Sequence, residues 1–252
     1  MKKTALIIGG NSGLGLATAH KLAKEGFNLC IVYRDRKSNA IKNEAYFDEM
    51  RSHGVNVDTF NKDALKEENI NEMLSKLSDK SISVLVHSIA KGSLKPLVSS
   101  SRVLGMDDLE ITIHAMGTNW WQWVRACIAN NIFAKNVSNI AFTSEGNQKV
   151  WESYGAVSAA KATLESLMRQ MAVELAPLGV KSNCVQAGVT QTASFDMIPD
   201  SEKLAELAKK RNPFLRLTQP EDVANAVYLL TLPESNWING NVIKVDGGES
   251  LR

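Results

Sequence analysis

At 252 residues, with 44% hydrophobic and 22% charged side chains, the chain has the makeup of a soluble domain able to bury most of its apolar surface in one core. Lys and Arg number 29 against 27 Asp and Glu, a formal net charge of +2, which disfavours nucleic-acid binding through bulk charge. Cys30, Cys127 and Cys184 lie far apart in apolar runs with no C-x-x-C, which argues against a disulfide frame or a metal site and for packed, reduced thiols.

The start, MKKTALIIGG, reaches glycine after five apolar and small residues, too soon for a secretory core, and no later run approaches a membrane span. A cytoplasmic location without membrane attachment is expected. TALII (4–8) reads as a strand and runs into GGNSGLGLATAHKLA, where Gly9, Gly13 and Gly15 stand immediately before a helix over 14–25. A tight turn of bare backbone lets a pyrophosphate approach the helix N-terminus, where free N–H groups and the dipole favour negative charge. Gly9, Asn11, Ser12, Gly13, Leu14 and Gly15 are therefore candidate dinucleotide ligands. The second strand (28–33) ends in VYRDRKS. A carboxylate at such a tip holds the ribose hydroxyls of NADH; here Tyr33 is followed by Arg34, whose guanidinium suits the 2′-phosphate of NADPH, with Asp35 as a dissenting charge. NADPH is expected over NADH.

Further strands are expected over 55–60, 83–88, 139–144, 180–185 and 241–245, and helices over 38–52, 66–78, 107–132, 154–176 and 219–231. Apolar strands alternating with helices predict an α/β fold, a single doubly wound Rossmann domain whose seven-stranded parallel sheet is flanked by helices on both faces. The stretch over about 188–213 reads as irregular and too long for a simple connection, the mark of a substrate-binding lid. In YGAVSAAK, Tyr154 and Lys161 are seven apart on one helix, which returns the lysine to within about 20° of the tyrosine and ~10.5 Å further along the axis. A spacing of four would give ~40° and ~6 Å, and that position holds Ser158, too short and uncharged to act as a lysine.

With the glycine turn, Asp63 in NKDAL, PEDVA (220–224) and VDGG (245–248), the chain resembles the short-chain dehydrogenase/reductase family over nearly its full length. Within it, VHSIA (86–90), the Tyr-x6-Lys of Tyr154 and Lys161, and Ala-Gly in QAGVTQT (186–192) are similar to the enoyl-acyl-carrier-protein reductase branch, the NADPH-using bacterial type. His114 falls about where carbonyl-reducing relatives place a relay asparagine, and Ser144 where many enoyl reductases carry a second tyrosine. The His114 side chain is expected to be a satisfied interior imidazole, and the tryptophans of NWWQW (119–123) to pack a subunit or sheet contact.

The resemblance implies reduction of the carbon–carbon double bond of an enoyl thioester. Hydride to the β carbon builds charge on a thioester oxygen three bonds away, so the proton donor must stand away from the hydride's landing point. Tyr154 would donate to that oxygen, with Ser144 as an accessory group. Lys161 would hold the ribose, favour the enolate and lower the pKa of Tyr154. Asp63 and Ala64 would meet adenine, Ser88, Ile89 and Ala90 the ribose and nicotinamide, and Gly188, Val189, Thr190 and Thr192 the carboxamide. The substrate would be carried on acyl-carrier protein or coenzyme A; Lys209, Lys210 and Arg211 read either as a basic docking end or as a solvated last helical turn whose cations complement the dipole. A homotetramer is implied, with 107–132 and 154–176 as contact helices. The alternatives are a carbonyl or 3-oxoacyl reductase of the same family, and a non-catalytic NADPH-binding protein.

Overall fold

Strands β1 (Thr4–Ile8), β2 (Asn28–Tyr33), β3 (Val57–Asn61), β4 (Ile82–His87), β5 (Phe133–Thr143), β6 (Val180–Ala187) and β7 (Val242–Val245) pair in parallel in the order β3-β2-β1-β4-β5-β6-β7. The computed structural model describes residues 3–252; Met1 and Lys2, part of the basic start, lie outside the described residues. Ile8 pairs with Val32 on one side and His87 on the other, so β1, β2 and β4 end level. Strand order reverses between β1 and β4, which opens a crevice at the carboxyl ends of the strands. This is the expected single doubly wound α/β domain.

Alternation along β1 sorts the core into two layers. Leu6 and Ile8 face α3 (Glu67–Leu74), α5 (Asn119–Ala129) and α6 (Gly155–Glu174), packing with Ile70, Trp120, Trp123, Leu164 and Met168. Ala5 and Ile7 face α1 (Gly13–Lys24), α2 (Ala40–Arg51) and α8 (Pro220–Leu229), with Leu22, Phe47, Val223 and Val227. The PEDVA stretch starts α8: Pro220 takes the first turn, where no N–H is needed, and Asp222 accepts from the Gln219 N–H at 2.9 Å.

Three expectations are corrected. The helix read over 107–132 is α4 (Met106–Ile113), a π-helical stretch at His114–Thr118, and then α5. Gly117 lies in that stretch; a Cβ there would sit 3.0 Å from the Ala160 carbonyl, so the wide turn lets α6 pack closely. Strand β5 starts at Phe133, six residues before the expected 139, because the polar Lys135 and Asn136 look like loop in sequence. The supposedly irregular 188–213 contains α7 (Ser201–Arg211), a highly polar helix that buries only Ala208.

The tryptophans of NWWQW make the expected sheet contact. Trp120 is fully buried and its indole N–H donates to Asn139 Oδ1 on β5 at 2.6 Å, while Trp123 donates to the Ala64 carbonyl at 3.0 Å. Trp120→Ala should cost about 3–5 kcal/mol of stability, because it opens a large cavity and strips the Asn139 amide of a partner. Urea unfolding of the two proteins measures this.

Candidate active site

The turn after β1 is compact for reasons visible atom by atom. A Cβ on Gly15 would lie 2.1 Å from the Gly9 carbonyl oxygen, and one on Gly9 would lie 2.4 Å from the Ser88 oxygen. Gly9 and Gly13 also adopt φ of +88° and +50°, where other residues are strained. Ser12 caps α1 without a side-chain hydrogen bond and no acidic residue stands in the first turn, so the N–H groups of α1 face the crevice uncontested. The cradle fits a dinucleotide pyrophosphate: nothing larger than hydrogen fits where the backbone must approach, and the dipole is directed at the site.

A cavity of about 430 Å³ runs from this turn across the sheet ends. Gly9, Asn11, Ser12, Gly13 and Leu14 form its middle; Arg34, Asp63 and Ala64 close one end. Ser88, Ile89, Ala90, Thr192, Ser144, Tyr154 and Lys161 form the other. Gly15 supports the turn from behind. Val189 and Thr190 line a second, adjoining cavity, and Gly188 lines neither: a Cβ there would lie 2.4 Å from Thr218 Oγ1, so it serves packing. Sequence reading missed Tyr33, Lys62, Leu65, Met116 and Thr143 on the walls; Lys62 flanks Asp63, and only the fold brings in Met116 from the π-helical stretch.

At the adenosine end Arg34 and Asp63 pair with each other at 2.7 Å, with Arg34 largely exposed. Asp35, the dissenting carboxylate, is engaged elsewhere. It accepts from Asn39 at 2.8 Å, Asn43 at 2.9 Å and Asn11 at 3.3 Å, and the Asn43 amide leads in holding its carboxyl below the usual range.

At the other end Lys161 is buried and donates to the Phe142 carbonyl at 2.7 Å. Burial pulls its ammonium down to about 8, opposed by Cys184 and Glu165. Tyr154 stacks over Gly146, where a Cβ would meet the ring at 2.4 Å, and its hydroxyl donates to Ser144 Oγ at 3.4 Å. The expected lowering of the Tyr154 pKa is not found: burial raises it, and the Ser144 hydroxyl only partly offsets this. Four residues before Lys161 stands Val157, buried with Ala115, Met116 and Ala160. His114 is half-buried with Nδ1 3.2 Å from Thr118 Oγ1, a satisfied side chain as expected.

Beyond Tyr154 and Ser144 the second cavity, about 990 Å³, is walled by Leu94, Trp151, Val157, Phe195, Ile198 and Leu204. Arg211 at the end of α7 binds Glu145 at 2.9 Å and Glu249 at 2.7 Å. It is therefore not free for a docking partner, contrary to expectation; Lys209 and Lys210 remain exposed.

The Lys161 ammonium has a consequence for stability. Its proton is held to about 8 in the fold and to the ordinary 10.5 when unfolded, so between these values the unfolded chain binds more proton and stability rises with pH. The burial penalty is on the order of 3 kcal/mol at neutral pH. Lys161→Met should lose this rise, seen as the difference between the two proteins' urea midpoints from pH 7 to 10.

The comparisons with known proteins agree with this geometry. The profile of the family described as "Enoyl-(Acyl carrier protein) reductase" matches residues 8–250. A tropinone reductase homolog of Arabidopsis thaliana is 29% identical over 251 residues, covering 98% of this chain and 91% of its own. A diacetyl reductase, (S)-acetoin forming, of Staphylococcus epidermidis is 29% identical and covers 98% of each chain. The crystal structure of a single-substitution variant of actinorhodin polyketide ketoreductase with NADPH superposes with a TM-score of 0.85 over 100% of this chain and 98% of that one, at 20% identity, which speaks for the fold alone. With a profile match along almost the whole chain and a dinucleotide cradle at the sheet's reversal, the protein belongs to the short-chain dehydrogenase/reductase family of oxidoreductases, which work with a nicotinamide cofactor.

Proposed function

We propose that the protein is an NADPH-dependent enoyl-thioester reductase, and one observation carries the reading: Val157. A carbonyl reductase of this build needs a phenol one helical turn before the lysine, beside the carbon that receives hydride. Here that place is an alkyl side chain, packed with Ala115, Met116 and Ala160 on the wall of the larger cavity, which can donate no proton. The phenol stands instead at Tyr154, two turns from Lys161, facing the larger cavity. The named relatives point the other way, since acetoin formation from diacetyl is carbonyl chemistry. The displaced phenol outweighs a name at 29% identity.

Bound NADPH supplies hydride to the β carbon. The Tyr154 hydroxyl, held toward Ser144, donates a hydrogen bond to the thioester oxygen as negative charge gathers there. A phenol whose pKa is raised stays protonated at neutral pH and so keeps the hydrogen it must donate. Lys161, anchored to the Phe142 carbonyl, holds the ribose hydroxyls and places positive charge under the developing enolate. The α carbon then takes a proton from solvent water to complete the saturated thioester. Apolar walls in the second cavity receive the acyl chain, with α7 and the residues before it as the lid. Exposed Lys209 and Lys210 are the docking surface for an acidic carrier protein.

Steady-state rates with NADPH and a crotonyl thioester, beside a 3-oxoacyl thioester, test the reaction class. The enoyl substrate should be strongly preferred, and Tyr154→Phe should lower its kcat by roughly 10²-fold, the cost of one donor to a developing oxyanion. Preference for the 3-oxoacyl substrate, or full turnover by the phenylalanine variant, rules the proposal out. Cofactor choice has its own test. Arg34→Ala should raise KM for NADPH by about 10-fold or more and leave NADH unchanged, because a charge-assisted bond to the 2′-phosphate is lost.

A further inference from the structure

Three consecutive residues at the end of β5 each grip one residue of the segment that forms α6. The Phe142 carbonyl accepts from Lys161 Nζ at 2.7 Å, Thr143 Oγ1 donates to Glu165 Oε1 at 2.6 Å, and Ser144 Oγ accepts from the Tyr154 hydroxyl at 3.4 Å. The outer two grips hold the groups already assigned to the reaction. The middle one holds a carboxylate that no part of that reaction uses. Glu165 is only 6% exposed, and it lies one helical turn beyond Lys161, on the same face of α6.

We infer that Glu165 is a positioning residue of the active site, whose buried carboxylate, fixed by Thr143, keeps Lys161 a charged ammonium at the β5 tip where the ribose binds. A buried ammonium without a counter-charge tends to give up its proton, and burial is the main influence on Lys161. The other groups around it cannot supply the counter-charge. His87, at the end of β4, is buried and held neutral, pushed down to about 3 by burial and by Lys161 itself. Cys184 on β6 is pushed far up by burial and by Glu165, so it stays a neutral thiol. Arg169, the next turn of α6, is exposed and carries the wrong sign. Tyr154 is a neutral phenol. Of the two groups that oppose burial at Lys161, Cys184 first and then Glu165, only Glu165 is a carboxylate, since Cys184 is a thiol whose pKa burial pushes far up.

The alternative role is packing: a side chain of this size that satisfies Thr143. Glu165→Gln separates the two, since glutamine keeps the volume and can still accept from Thr143 but carries no charge. The inference rests on the reading of Lys161 as a cofactor ligand, and not on which double bond is reduced. It is therefore tested by NADPH affinity, from the fluorescence of the bound nucleotide between pH 6 and 9.5.

In wild type, affinity should fall on the alkaline side as Lys161 loses its proton. In Glu165→Gln that fall should come about one pH unit lower, so the variant binds about fivefold more weakly at pH 8 and within about twofold of wild type at pH 6. An unmoved alkaline limb, or a loss equal at all pH, overturns the inference. Glu165→Asp keeps the charge while drawing it back from Thr143, and should retain the wild-type limb; this variant decides the matter if Glu165→Gln does not fold. A limb shifted in Glu165→Asp overturns the inference as well. A wild type that binds NADPH with this pH dependence yet reduces no enoyl thioester would refute the proposed reaction and leave Glu165's role standing.

Discussion

The site is organised around one constraint, the burial of the Lys161 ammonium at the end of β5. Removing a cation from water is costly, and it persists only where dipoles and charges replace the lost hydration. The Phe142 carbonyl supplies one such dipole at 2.7 Å. The apolar face of α6, Ala160, Leu164, Met168 and Met171, sets the rotation of the helix about its axis, and that rotation points Lys161 at the strand end. Once the rotation is set, Tyr154 near the helix start must stand over Gly146 and reach Ser144, and Val157 must pack with Ala115, Met116 and Ala160 at the cavity wall. The chemistry available to the protein thus follows from which residues happen to share a face with the lysine.

The cofactor end obeys a different constraint, which is steric. Gly9 and Gly15 approach each other and the Ser88 backbone so closely that no side chain is tolerated, and the reward is a helix N-terminus open toward the crevice. A buried polar path runs inward from the Asp63 end as far as His87, whose Nδ1 has no hydrogen-bond partner among the described residues. Ala64, on the wall near Asp63, accepts from Asn119 and Trp123; Asn119 Oδ1 lies 3.1 Å from His87 Nε2, and His87 senses Lys161. Each bond along it spares a buried group its desolvation cost.

Much of this was legible before any coordinates. Continuous apolar strands between helical patterns specify a parallel sheet, and the glycine spacing marks its reversal point, because both signals come from local sterics and periodicity. Tyr154 and Lys161 were legible for the same reason: a seven-residue spacing has one meaning on a helix. What stayed hidden depends on partners distant in sequence. The π-helical stretch at His114–Thr118 is set by Gly117 meeting Ala160, and nothing in ITIHAMGTN announces it. Helix α7 is too polar to show an apolar face, so 188–213 read as irregular. The raised pKa of Tyr154 reflects burial outweighing its hydrogen bond, a balance that helix geometry alone cannot reveal. Arg211 looked like one of three solvent cations and is instead paired with carboxylates 66 and 38 residues away.

That last pairing explains how α7 is held at its C-terminal end. A highly polar helix with one buried alanine has little hydrophobic reason to dock. Arg211 compensates by joining Glu145, the neighbour of Ser144, to Glu249, whose carboxylate also accepts from the Val189 N–H at 3.2 Å. Glu249 is held in turn by the VDGG turn, in which Asp246 accepts from the Gly248 and Ser250 N–H groups while its carbonyl takes the Asn212 amide. The far end of the chain therefore carries the anchor for the segment that covers the larger cavity. Electrostatic anchoring of this kind is weaker per contact than a packed apolar face, and it is directional.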